Sequence, residues 1–144
     1  MSIIKRVIGR QIIDSRGTPT VEAEVFLDNG VRARGIAPSG ASTGKYEAVE
    51  LRDNDPNSYF GKGVSKAVSN INTTISKKLT GESVNNQSVI DKKLIDLDST
   101  ENKSNLGANA TLAVSLACAS AFAKTNNKFI FESIISRSTY TLPV

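Results

Sequence analysis

Histidine is absent from all 144 residues, and that single absence removes a whole chemistry. No Ser–His or Cys–His pair can form, and no imidazole can ligate a metal. Cysteine occurs once, at Cys118, so an internal disulfide is impossible and a reducing compartment is expected. Met1–Arg6 contains no apolar run leading to a small-residue cleavage site, so the expected location is cytoplasmic. Long apolar runs are missing too. The most apolar stretch, Ala108 to Ala123, is interrupted by Asn109, Thr111, Ser115 and Ser120 and is short for a bilayer span. It reads as a buried helix, and no membrane partner is expected. Zinc-finger spacing and interleaved aromatic–basic strands are also absent. The net charge is +4, but the 18 Lys and Arg residues are scattered among acidic ones, so no nucleic-acid partner is expected.

What is present is ordered along the chain. Ile3 to Ile13 reads as a strand, broken by turn residues at Asp14–Pro19. Thr20 to Leu27 alternates, with Val21, Ala23, Val25 and Leu27 on one face and Glu22 and Glu24 on the other. Asp28-Asn29-Gly30 signals a hairpin, and Val31 to Ala37 follows as a third strand. A two-residue turn would oppose Val25 and Arg34 on one face. A three-residue loop opposes Leu27 with Val31, Val25 with Ala33, Ala23 with Gly35 and Glu24 with Arg34. The three-residue loop is therefore predicted, with Gly30 in the left-handed region.

From Gly63 the period changes. Val64, Ala67, Val68, Ile71, Ile75 and Leu79 recur at helical spacing, and Gly81 ends that helix. Asn86 or Ser88 starts a second, with Val89, Ile90, Leu94 and Leu97 facing inward. After a polar connection from Asp98 to Gly107, a third helix is expected over Ala108–Lys124 and a short last one over Phe129–Ser136. Strands first and helices after, without alternation, imply an α+β fold: a three-stranded antiparallel meander followed by about four helices.

Candidate chemistry is sparse. Pro38–Glu47 is nearly free of side-chain bulk, and its hydroxyls and exposed amides suit a phosphate or a hard cation as well as an ordinary surface loop. It does not have the Walker A spacing. Gly61-Lys62-Gly63 could hold an anion at a helix start, although a solvated lysine is the simpler reading. Glu47, Glu50, Asp53 and Asp55 form an acidic cluster, read as a solvated face; Asp91, Asp96 and Asp98 are read as an exposed helix face. Cys118 is expected to be buried and inert. Arg16 could bridge to a carboxylate elsewhere, with a structural role. No complete active site is visible.

Several segments together resemble one family. They are Asp14–Glu22, Pro38–Gly44, Glu47–Asp53, Gly61–Val64, Asp98–Ser104 and Gly107–Ala110, and they match the N-terminal domain of enolase in order. Thr18, Ser99 and Leu106 depart from the family's usual asparagine, glycine and phenylalanine at turn or packing positions.

The resemblance implies a capping domain over residues 1–141, with 142–144 opening the link to a C-terminal barrel that these residues lack. It implies the interconversion of 2-phosphoglycerate, a small phosphorylated substrate, and phosphoenolpyruvate in glycolysis, with two Mg²⁺ per active site. The base, the acid and the first metal's carboxylates belong to the barrel. No catalytic residue is therefore expected here, and the 144 residues alone are expected to be inactive and to hold no metal by themselves. By motif match, Ser42 is a ligand of the second Mg²⁺ within a mobile active-site loop of Ser39, Gly40, Ala41, Ser42, Thr43 and Gly44. Arg10 and Glu22 match residues that face the partner subunit's barrel in a homo-oligomer, at least a dimer. The alternative is a stand-alone, non-catalytic interaction module with the same fold.

Overall fold

The computed structural model describes residues 2–40, 44–135 and 139–141. Three strands, β1 (Ile4–Ile13), β2 (Pro19–Leu27) and β3 (Arg32–Ala37), form an antiparallel sheet in the order β1-β2-β3. The hairpin takes the expected register: Val25 faces Ala33, Ala23 faces Gly35 and Glu24 faces Arg34. Gly30 sits at φ +85°, where a residue with a Cβ would be strained. Strand ends differ slightly from the sequence reading. Ile3 makes only an isolated bridge to Ser83, and Val31 precedes β3.

The inner face of the sheet is deliberately shallow. Val7, Val21, Ala23, Val25, Ala33 and Ala37 point into the core beside two glycines. A Cβ on Gly9 would come 2.8 Å from Cβ of Ile71. One on Gly35 would collide with the Ala113 carbonyl and come 2.5 Å from the Ala117 nitrogen. This lets the long helix α4 (Ala108–Thr125) lie almost backbone to backbone on the sheet. Its buried residues include Ala110, Ala113, Val114, Ala117, Cys118 and Ala121, small enough for that approach. The alanine-rich sequence is thus the complement of Gly35.

In chain order a continuous helical run from Ser65 to Leu79 comes between the sheet and α4, and it packs against β1. It is α-helical in α1 (Ser65–Asn70), passes through a π turn (Ile71–Ile75) and resumes as α2 (Ser76–Leu79). The sequence reading expected an uninterrupted helix. Ala67, Ile71, Ile75 and Leu79 recur every four residues, and in a pure α-helix that spacing drifts by about 40° per step. The wider turn absorbs the drift, and all four side chains are fully buried. Asn72, inside that turn, closes the free edge of β1: its Oδ1 accepts from the Gly9 N–H at 2.8 Å and its Nδ2 donates to the Gly9 carbonyl at 3.1 Å.

Helix α3 (Gln87–Asp98) is capped by Asn86, whose side chain accepts from the Val89 N–H. Ile90 and Leu94 are buried as expected and Leu97 is partly buried. Val89 is not: at 45% exposure it lies on the solvent side of the helix. Ile90 and Leu94, four apart, define the buried stripe, and Val89 lies about 100° off it. The last helix, α5 (Ile130–Ile134), is shorter than expected; Ser136, and the tail at 142–144, lie outside the described residues. Among the described residues, no helix is long and apolar enough to cross a membrane.

Candidate functional site

The outer face of the sheet carries the first charged cluster. Glu22 and Glu24 point away from the core, as their alternation requires, yet they are only 7% and 5% exposed. Arginines cover them. Arg10 reaches Glu22 at 3.3 Å and Glu24 at 2.7 Å, and Arg34 approaches the same two carboxylates at 3.8 and 3.7 Å. Burial pushes the Glu24 carboxyl up, but the Arg10 and Arg34 guanidiniums outweigh it and its pKa lies below the ordinary value. Arg10 and Glu22 are therefore brought together within one chain.

The second cluster is at the near arm of the small-residue segment. Asp14 organises its own turn, accepting from the Arg16 and Thr18 amides at 2.9 and 2.8 Å. The Thr18 amide is the main reason its carboxyl titrates below the usual range. That turn aims Arg16 at the arm. Arg16 pairs with nearby Asp14 at 3.6 Å and donates to the Ser39 carbonyl at 2.9 Å; among the described residues its carboxylate partner is its own turn's Asp14 and not one elsewhere. The Ser39 hydroxyl donates to Glu50 Oε1 at 2.6 Å, and Arg52 donates both to Ser39 Oγ and to Glu50 Oε1.

The acidic cluster expected to be a solvated face is dismantled by these contacts. Glu50 is spent on Ser39 and Arg52. Asp53 caps α1, accepting from the Ser65 and Lys66 amides at 2.8 and 2.9 Å and from the Ser65 hydroxyl at 2.7 Å. Burial raises the Asp53 carboxyl, and those donors bring it below its ordinary value. Asp53 also settles the Gly61-Lys62-Gly63 question: the anion at that helix start is the chain's own carboxylate. Its Oδ2 is so close that a Cβ on Gly63 would come 2.5 Å from it. Only Glu47 and Asp55 remain exposed.

Asp98 does not lie on the exposed helix face expected for it. Asp98 is fully buried and organises the α3–α4 connection. Its carboxylate accepts from the Leu106 amide at 2.6 Å and from the amide and hydroxyl of Thr100. Burial pushes its pKa up and these donors pull it below the ordinary range. Asp91 is half-buried, accepting from Ser115 Oγ at 2.6 Å and Gln87 Nε2 at 2.9 Å; Asp96 alone matches the exposed reading. Cys118 is buried as expected, and burial pushes its thiol up to about 12.

Beyond the arm, Glu47–Arg52 runs back across the start of α4. The Val49 amide donates to the Asn102 carbonyl at 2.8 Å, and Asn109 grips Leu51 at both its N–H (3.2 Å) and its carbonyl (3.1 Å). Between this segment, the Ser39–Gly40 arm and helices α3 and α4 lies an open cleft of ≈ 950 Å³, with Val49, Leu94 and Leu112 among its apolar walls. Of the loop residues singled out in the sequence, Ser39, Gly40 and Gly44 border this cleft. Ala41, Ser42 and Thr43 lie outside the described residues. Among the described residues, no three His, Cys, Asp or Glu side chains converge to hold a metal. The donors that this part of the chain offers a hard cation are hydroxyl and carbonyl oxygens, its nearby carboxylates Glu47 and Glu50 being hydrogen-bonded to Gly44 and Ser39. That suits one or two neutral oxygen ligands to Mg²⁺, with carboxylates supplied from elsewhere. Arg52 and Asn109, which shape the arm and its return, carry no periodic signal in the sequence and were not singled out there.

A meander backed by helices, with Ser39, Gly40 and Gly44 at the edge of a cleft, defines an α+β domain. The family model described as enolase, N-terminal domain, matches residues 4–134, and the chain belongs to that family. It is similar to the protein named enolase from Legionella pneumophila (strain Lens), 52% identical over 141 residues. That match covers 98% of this chain and 33% of the relative, so the chain spans about a third of the length of the curated relative it matches.

Proposed function

We propose that these residues are the capping domain of an enolase that interconverts 2-phosphoglycerate and phosphoenolpyruvate, a cytoplasmic, Mg²⁺-dependent lyase of glycolysis. The observation that carries this reading is the family match across residues 4–134, together with the cleft bordered by Ser39, Gly40 and Gly44. In it, residues 39–44 close over the phosphorylated substrate, exclude water and bring Ser42 to the second Mg²⁺. Bound Mg²⁺ would supply positive charge against the substrate's carboxylate. A hydroxyl and a carbonyl cannot hold that ion alone, so the remaining ligands, the base and the acid would come from a C-terminal barrel. In the same reading the arginine-covered sheet face makes the subunit contact; Arg10, which keeps 40% of its side chain exposed above Glu22, is consistent with that role.

The test is the formation of phosphoenolpyruvate, followed by its ultraviolet absorbance, with Mg²⁺ present. The chain as the cell makes it should turn over 2-phosphoglycerate, and residues 1–144 alone should not. Turnover by the 144 residues, or none by the natural protein, would overturn the proposal.

A further inference from the structure

We infer that Arg52 is a positioning residue that sets the point from which the 39–44 loop leaves the scaffold; the inference rests on the loop reading above. The Arg52 side chain is only 16% exposed, and its guanidinium is used at four acceptors. Nη1 donates to the Pro19 carbonyl at 2.6 Å and to the Lys62 carbonyl at 2.5 Å. Nη2 donates to Ser39 Oγ and, at 2.7 Å, to Glu50 Oε1. Those acceptors belong to the start of β2, the turn before α1, the loop's near arm and the segment that returns from it. One planar fork thus ties the arm to the two rigid elements on either side.

Ser39 is held from a second direction as well. Arg16, presented by the Asp14 turn, donates to its carbonyl, so both polar ends of the residue are engaged. The far arm is different. Gly44 is held by a bond from its amide to Glu47 Oε2 at 2.7 Å, inside one exposed turn. The two ends of the loop are therefore unequal: a fixed origin at Ser39 and a local tie at Gly44. A guanidinium is required for the first. Four acceptors in a fork exceed what a lysine ammonium, with three donors and no plane, can satisfy in the same place.

The experiment is ¹⁵N relaxation on the protein as the cell makes it, comparing Arg52→Gln, Arg52→Lys and Ser39→Ala with the parent. Order parameters at Ser39 and Gly40 should be near 0.85 in the parent and fall below about 0.6 in both Arg52 variants, with α4 unchanged. Ser39→Ala, which removes one hydroxyl, should give a smaller drop. Rigid Ser39 and Gly40 in every variant, or full rescue by lysine, would overturn the inference. Should the Arg52 variants loosen α4 as well, Ser39→Ala decides: unchanged order parameters there would count against the proposal. Steady-state kinetics with 2-phosphoglycerate add an independent readout, a fall in kcat larger than the change in KM. A parent without turnover would defeat the enolase reading and leave the relaxation result standing.

Discussion

Two regions of this domain are held together by opposite means. Where α4 meets the sheet, the buried contact is made of alanines, valines and the bare backbone of Gly35, and the side-chain hydrogen bond from Lys124 Nζ to the Arg32 carbonyl lies at its exposed end. In the described residues of 38–55 and 98–107, Leu106 is the one large apolar side chain fully in the core, and beside backbone bonds such as Val49 N–H to the Asn102 carbonyl many of the fixed points are side chains gripping backbone. Arg52 holds Pro19 and Lys62, Asn109 holds Leu51, Asp53 holds Ser65 and Lys66, and Asp98 holds Leu106. The first arrangement fails when volume changes, the second when a single polar atom is lost. The loop proposed to act on substrate grows out of the second, which can be tied at chosen points without being packed solid.

The largest effect should come from breaking the packed region. In Gly35→Ala the added methyl meets the Ala113 carbonyl and the Ala117 nitrogen, both backbone atoms of a helix that cannot step aside alone. Destabilisation of about 3 kcal/mol or more is expected, read from the urea midpoint. A midpoint within about 0.5 kcal/mol of the parent would show that α4 does not lie as close as described.

The hydrogen-bonded region should break at Asp98. Asp98→Ala leaves the Leu106 amide buried without a partner and frees the Thr100 turn, a loss of about 2–3 kcal/mol. Acid should do the same reversibly. The carboxyls of Asp98 and Asp53 are held below their ordinary values, so the folded state binds these protons less readily than the unfolded chain. Their contribution is complete above roughly pH 5 and is lost as pH falls through the folded pKa values. Urea midpoints across that window should slope more steeply in the parent than in Asp98→Asn; equal slopes would remove Asp98 from the account.

This division also explains what could be read in the residues alone. The hairpin register was legible because alternation puts Glu24 beside Arg34 only with a three-residue loop, and a wrong register would expose the core face. The helical faces were legible by period except at Val89, and the four-residue spacing of Ala67, Ile71, Ile75 and Leu79 held the signal for the π turn where an uninterrupted helix was expected. The polar ties were not. A carboxylate looks the same in sequence whether it is solvated, like Asp96, or buried under three donors, like Asp98, because its partners lie on other segments or on a loop without period. Arg52 is the sharpest case, since its four acceptors span residues 19 to 62.

The smallest effect should fall on the outer surface of the packed layer, at Val89. It sits in α3 next to fully buried Ile90, and the sequence reading placed both inward. With 45% of its surface exposed, Val89 has little burial to lose on truncation, and alanine is the better helix former. The two terms oppose each other, and Val89→Ala should leave the urea midpoint within about 0.5 kcal/mol of the parent. Ile90→Ala, one residue on, opens a cavity in the core and should cost about 2–5 kcal/mol. A comparable loss at both positions would rotate α3 and bring Val89 into the packed layer. The wall that Leu94 gives the cleft would have to be redrawn with it.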